Sequence, residues 1–136
     1  MGGKSKKPTT AGRLDDQLCF ALYAATNTIV RAYRPFLTEV GLTYPQFLVL
    51  LVLWEHRSLR LGEIAAPLGL ATHAVSPIID RLEEAGLVRR VADADDGRAV
   101  QVRLTAAGER LETRAAAIQE EIRCLTLLED SEVVEL

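Results

Sequence analysis

Cysteine is scarce: the 136 residues hold two, Cys19 and Cys124, 105 positions apart. That is too few for a secreted scaffold knitted by disulfides, and the pair lacks the close spacing of a zinc site. Reduced thiols in a cytoplasmic protein are therefore the default expectation. Long apolar runs are also missing. Arg31, Glu39, Glu55, Arg57 and Arg60 interrupt every stretch that approaches the roughly 20 residues a membrane span needs. The basic start over 1–12 (Lys4, Lys6, Lys7) has no apolar core behind it, so it reads as a disordered arm rather than a secretory signal. Charge of one sign is lacking overall, at net −3, but it is unevenly placed. Residues 109–136 carry three basic and eight acidic side chains, which leaves 1–108 with a net of +2. Charge alone neither supports nor excludes a nucleic-acid partner.

What the chain does have is helical periodicity. Leu14, Leu18, Ala21, Leu22, Ala25, Ile29, Ala32, Phe36 and Val40 recur every three or four residues, which predicts one long amphipathic helix ended by Gly41. Thr43, Tyr44 and Pro45 supply a cap and a first-turn proline for a second, almost wholly apolar helix running to His56. A short alternating segment, Leu59 to Leu61, precedes a short helix over Gly62 to Leu68, broken by Gly69. A further helix is expected over Thr72 to Ala85 with Val75, Ile78, Ile79 and Leu82 inward, closed by Gly86. Leu87 to Val91 and Val100 to Leu104 alternate around the polar turn Asp93-Ala94-Asp95-Asp96-Gly97-Arg98 and predict a hairpin. A last helix follows Thr105, with Leu111, Ala115, Ile118, Ile122 and Leu125 keeping helical spacing.

The predicted class is mainly α with a small antiparallel β-hairpin. Two helices around a glycine turn, followed by a hairpin, form a winged helix-turn-helix, whose second helix can enter a major groove. The pattern by itself equally allows a helical protein whose hairpin only covers the core. On the first reading Thr72, His73, Ser76, Pro77 and Arg81 face outward and are the candidate DNA readers, with Arg98 at the hairpin tip suited to a minor groove.

These segments resemble a known family. Leu70 to Thr105, with the Asp96-Gly97-Arg98 tip and the Leu104-Thr105 and Gly108 close, looks like the DNA-binding core of the MarR family. Leu14-Asp15-Asp16-Gln17-Leu18-Cys19-Phe20, Tyr23-Ala24, Tyr33-Arg34-Pro35, Thr43-Tyr44-Pro45-Gln46 and Leu53-Trp54-Glu55-His56 resemble its OhrR branch, repressors of organic hydroperoxide resistance genes. The resemblance implies a homodimer on double-stranded operator DNA, with organic hydroperoxide as the signal. It implies that Cys19 is the peroxide-reactive thiol, that Tyr33 and Tyr44 hydrogen-bond it, and that Cys124 of the other subunit captures the oxidised sulfur. It further implies one MarR-like domain over 13–136, with about 57–104 as winged-helix core and 13–40 and 106–136 as dimerisation helices. The sequence departs from the family at Ala71, where a polar cap is common, so Thr72 is expected to take that role.

The chemistry suits these residues. Thiolate rather than thiol reduces a peroxide, and a helix N-terminus with phenolic donors stabilises such an anion, although Asp15 and Asp16 oppose it. Tyr33 lies fourteen residues beyond Cys19, roughly 21 Å along one helix, so any contact between them requires a second subunit. Tyr23, four residues on, shares the face of Cys19. Phe20, Tyr23, Phe36 and Phe47 are the candidate pocket for an alkyl or aryl peroxide, with Leu22 and Leu50 beside them; core packing is the other role open to each. No cofactor, metal or membrane partner is expected. A zinc site from Cys19, His56, His73 and Cys124 lacks clustered spacing. Two other functions remain open: a MarR-type repressor released by a phenolic ligand, and a thiol peroxidase, for which no separate catalytic motif is visible.

Overall fold

The computed structural model describes residues 3, 7, 10–95, 97–126 and 132. Most of the expected basic arm over 1–12, the tip residue Asp96 and most of 127–136 lie outside the described residues.

Helix α1, Leu18–Glu39, follows a 3-10 turn over Leu14–Asp16, so Leu14 precedes the helix instead of starting it. Its end is sealed by backbone bonds from Gly41 to Thr38 and from Leu42 to Leu37, with Leu42 tucked into the core. Helix α2, Tyr44–His56, starts as the sequence suggests. The Thr43 N–H donates to Gln46 Oε1 (3.0 Å) and the Gln46 N–H donates to Thr43 Oγ1 (3.4 Å), a reciprocal cap. Phe47, Val49, Leu50, Val52, Leu53 and Trp54 are buried on several sides of α2, which makes it the central post of the core.

Strand β1 (Ser58–Arg60) leads into α3 (Leu61–Ala65), which tightens into a 3-10 turn over Ala66–Leu68. Leu61 therefore opens a helix where a strand residue was expected. Gly69, at φ 65°, makes the turn into α4 (Thr72–Glu84); a side chain there would be strained. Val75, Ile79 and Leu82 of α4 are buried and Ile78 is half-buried. Strands β2 (Val88–Ala92) and β3 (Val100–Leu104) form the hairpin, and α5 runs over Ala106–Thr126.

The sheet has three antiparallel strands in the order β1-β3-β2, rather than the hairpin alone. β1 joins in the register Ser58↔Arg103, Leu59↔Val102 and Arg60↔Gln101. At the junction of sheet and helices the Thr105 hydroxyl donates to the Gly86 carbonyl (2.6 Å) and accepts from the Gly108 N–H (3.1 Å). The buried Trp54 Nε1–H donates to the Gly108 carbonyl (2.9 Å), tying α2 to the start of α5.

The apolar faces of α1 and α5 are only partly buried. Leu37 is the one buried residue of α1, while Leu18 is 73% and Leu22 60% exposed, with Leu14 and Ile29 also open. Leu125, which keeps the apolar spacing of α5, is 65% exposed. Helical spacing marks the α1 residues as one apolar stripe, and among the described residues it stays largely uncovered. Among the described residues no single helix is long and apolar enough to cross a membrane.

Candidate functional site

Cys19 is the second residue of α1 and is exposed. The N-cap position, Gln17, makes no side-chain capping bond, so the partial positive charge of the helix start is not offset by a capping oxygen. Asp15 and Asp16 lie in the preceding turn. Phe20 is half-buried and Tyr23 is 65% exposed. Because α1 is one continuous helix to Glu39, Tyr33 stands roughly 21 Å along the axis from Cys19. The structure keeps the two apart within the chain.

Tyr33 is instead grouped with Tyr44 and Phe47. Ring centroids are 5.2 Å apart for Tyr33–Tyr44, 5.5 Å for Tyr33–Phe47 and 6.3 Å for Tyr44–Phe47. Phe47 is buried and meets Trp54 edge-on, while Phe36 packs half-buried against the same core. Burial pushes both phenols above their ordinary pKa, and the neighbouring Tyr44 adds to the rise at Tyr33. Both hydroxyls are consequently protonated at neutral pH and able to donate. A cavity of about 390 Å³ opens beside Tyr44, lined also by Val30, Arg34, Leu37, Thr38, Leu42, Thr43 and Pro45. The α1 stripe and this cavity thus lie at different levels of one molecule, the thiol at one and the phenols at the other.

Cys124, in the last turn of α5, is exposed, and its thiol points to Glu120 Oε1 at 3.8 Å. Arg123 pairs with Glu120 (Nη2 to Oε1 2.6 Å, Nε to Oε2 3.0 Å) and holds that carboxyl below its usual range. Both cysteines are free thiols. Cys19, His56, His73 and Cys124 sit on four different helices, and no metal-holding group of three His, Cys, Asp or Glu occurs among the described residues.

On α4 the buried residues lie on one side, and Thr72, His73, Pro77 and Arg81 are exposed on the other with Ser76 half-buried. The expected capping role of Thr72 is not found: Ala71 occupies the cap position without a side-chain bond, and Thr72 is already the first helical residue. Arg98 lies exposed in the turn between β2 and β3.

Two side-chain groups escape sequence reasoning. The first is Asp93, which is only 6% exposed at the base of the hairpin turn. It accepts from Arg60 Nε (3.1 Å) and Nη2 (2.7 Å), from Gln101 Nε2 (3.2 Å) and from the Asp95 N–H (3.0 Å). Ser58 Oγ extends the network by donating to Gln101 Oε1 (2.7 Å). All three strands are thereby pinned to the start of the turn that carries Arg98. The Arg60 guanidinium, the Asp95 amide and Gln101 together hold the Asp93 carboxyl down at about 2. A depressed carboxyl contributes stability that is complete above its unfolded pKa, near 3.8, and lost as pH falls through about 2. Asp93→Asn is expected to lower the melting temperature at pH 7. It should also flatten the fall in melting temperature between about pH 4 and 2, as read by circular dichroism; parallel curves for the two proteins would refute the role of the carboxylate.

The second group is Arg90 of β2, half-buried against α4. It pairs with Asp80 (2.7 Å) and Glu83 (3.2 Å), and its N–H donates to Glu83 Oε2 (2.9 Å). Its alternation with the buried Val88 was the one available sign that it faces inward.

A short helix, a left-handed turn, an outward-faced second helix and a three-stranded wing define a winged helix-turn-helix. Residues 42–100 match the MarR family. The transcriptional regulator TtmR of Methylorubrum extorquens is 50% identical over 98 residues, 72% of this chain and 50% of that protein, so the chain spans only half of that relative's length. The organic hydroperoxide resistance transcriptional regulator of Bacillus subtilis is 38% identical over 106 residues, 78% of this chain and 72% of that protein. Among solved structures, reduced AbfR bound to DNA, a protein of Staphylococcus epidermidis, superposes with a TM-score of 0.76 at 33% identity over 90% of this chain and 89% of that one. Its disulfide form gives 0.68 at 33% identity over 80% of each chain. The chain belongs to the MarR family of DNA-binding transcriptional regulators.

Proposed function

We propose that this protein is a peroxide-responsive repressor that binds operator DNA as a homodimer and releases it when Cys19 is oxidised. The observation that carries the reading is the separation of thiol and phenols: Cys19 lies exposed on an uncovered apolar stripe, and Tyr33 and Tyr44 lie roughly four helical turns away. Pairing two copies with their first helices antiparallel buries the stripe and brings each thiol to the other chain's phenols. The likeness to an organic hydroperoxide resistance transcriptional regulator and to the disulfide form of AbfR supports the same reading.

In this scheme neutral Tyr33 and Tyr44 donate hydrogen bonds to the Cys19 thiolate. The thiolate sulfur attacks the terminal peroxide oxygen, the O–O bond breaks, and the alkoxide leaves as an alcohol after taking a proton from solvent. Cys19 is left as sulfenic acid. The Cys124 sulfur of the other subunit then attacks, a disulfide forms and water departs. Phe20, Tyr23, Phe36 and Phe47 give the site an apolar lining suited to an organic peroxide. Thr72, His73, Ser76, Pro77 and Arg81 read the major groove, and Arg98 enters the minor groove. The protein acts once per oxidation event and is a regulator rather than a peroxidase.

The test is non-reducing electrophoresis after one equivalent of cumene hydroperoxide. A covalent dimer is expected from the wild type, none from Cys19→Ser and none from Cys124→Ser, with thiol reductant reversing the wild-type result. A dimer that survives Cys124→Ser removes Cys124 from the mechanism.

A further inference from the structure

Pro77 lies inside α4, one turn from its start. A proline there has no N–H for the His73 carbonyl, and its ring presses on that carbonyl, so the helix is weakened between its first turn and the rest. The part before the proline carries Thr72, His73 and Ser76. Arg90 spans this weak point. Its Nη2 donates to the Ser76 carbonyl (3.4 Å) just before the proline, and the same guanidinium holds Asp80 (2.7 Å) and Glu83 (3.2 Å) beyond it. Positions 76, 80 and 83 share one helical face, turned toward β2. The Arg90 main chain adds a second tie, its N–H to Glu83 Oε2.

We infer that Arg90 is a splint on the reading helix: it sets the angle at which the first turn of α4 meets the groove and so determines base specificity. It is a positioning residue, acting through Ser76 and the helix axis. The inference rests on the proposed DNA-reading role of α4. The arrangement is specific to arginine, because a planar fork can reach two carboxylates and a carbonyl together while a lysine ammonium cannot hold all three in one plane. It also accounts for α4 running unbroken through a proline at a reading position.

The experiment uses the full chain and a duplex enriched from a random-sequence pool by the wild-type protein, with an unselected duplex of equal length as reference. Arg90→Met should cut the ratio of selected to unselected affinity about tenfold, the scale of one misread base pair, by loss on the selected duplex. Asp80→Asn with Glu83→Gln, which loosens the splint from the helix side, should act in the same direction and does not depend on Arg90→Met folding well. The deciding measurement is the same Arg90→Met change made in a Pro77→Ala background, where the helix is continuous without help. There the change should cost less than about twofold relative to Pro77→Ala alone. An equal loss in both backgrounds, or an equal loss on both duplexes as expected for a simple phosphate contact, overturns the splint. A wild type that enriches no duplex at all removes the reading role of α4 itself, and with it this inference.

Discussion

Organic hydroperoxide is expected to lower the affinity of the wild-type protein for its selected duplex about a hundredfold and to leave Cys19→Ser bound within about twofold of its untreated value. The argument is chemical. A serine hydroxyl at this position cannot be oxidised by a peroxide, yet it is close in size to the thiol and sits exposed in the first turn of α1, outside the winged-helix elements. DNA binding before treatment should therefore be unchanged. In the proposed dimer, formation of a Cys19–Cys124 link would require two exposed helical residues to approach within about 7 Å in Cα separation, and rigid helices would transmit that approach to the spacing of the two reading helices. Half-sites set one helical turn apart punish such a change severely. Fluorescence anisotropy with a labelled duplex measures both proteins directly. If Cys19→Ser is released as completely as the wild type, the oxidised group lies elsewhere.

Gly108→Ala is expected to destabilise the fold by about 3 kcal/mol and to lower the melting temperature by roughly 10 °C. A methyl group on Gly108 would be driven into the Leu87 carbonyl oxygen and would stand 3.1 Å from Leu104 Cδ2. Main chain cannot swing aside as a flexible side chain can. Moving α5 outward to relieve the clash would also stretch the Trp54 bond to the Gly108 carbonyl and the Thr105 bond to its N–H. Calorimetry on the two proteins checks this. A variant that melts within about 2 °C of the wild type would show that the junction yields easily.

The helices were readable in the sequence because their signals are local. Thr43 and Gln46 form their cap within one turn, Gly41, Gly69 and Gly86 break where a positive φ is needed, and Val75, Ile79 and Leu82 point inward as their spacing demands. The wing was half readable. Its turn announces the β2–β3 hairpin, but β1 pairs with a strand more than forty residues away, and three residues carry too little alternation to signal a partner. Asp93 and Arg90 stayed hidden for the same reason: Arg60 is 33 positions from Asp93, and the residues that hold Arg90 lie on another element. The exposed Leu18, Leu22 and Leu125 mark the opposite limit. Periodicity identifies an apolar face but is silent on which chain covers it. Of the candidate site, the grouping of Tyr33 with Tyr44 was implied only by resemblance, since nothing in their eleven-residue separation sets two rings 5.2 Å apart across a helix junction.

The strand order has an effect on how copies can meet. β3 is flanked on both sides, which leaves β2 as an outer border of the sheet, and that border carries the exposed Arg89, whereas Arg90 is turned to the carboxylates of α4. Two such borders approaching one another would juxtapose like charges before any backbone bond could form. Runaway stacking of sheets is thereby discouraged on that side, which leaves the exposed apolar residues of α1 as the surface better suited to meeting a second copy.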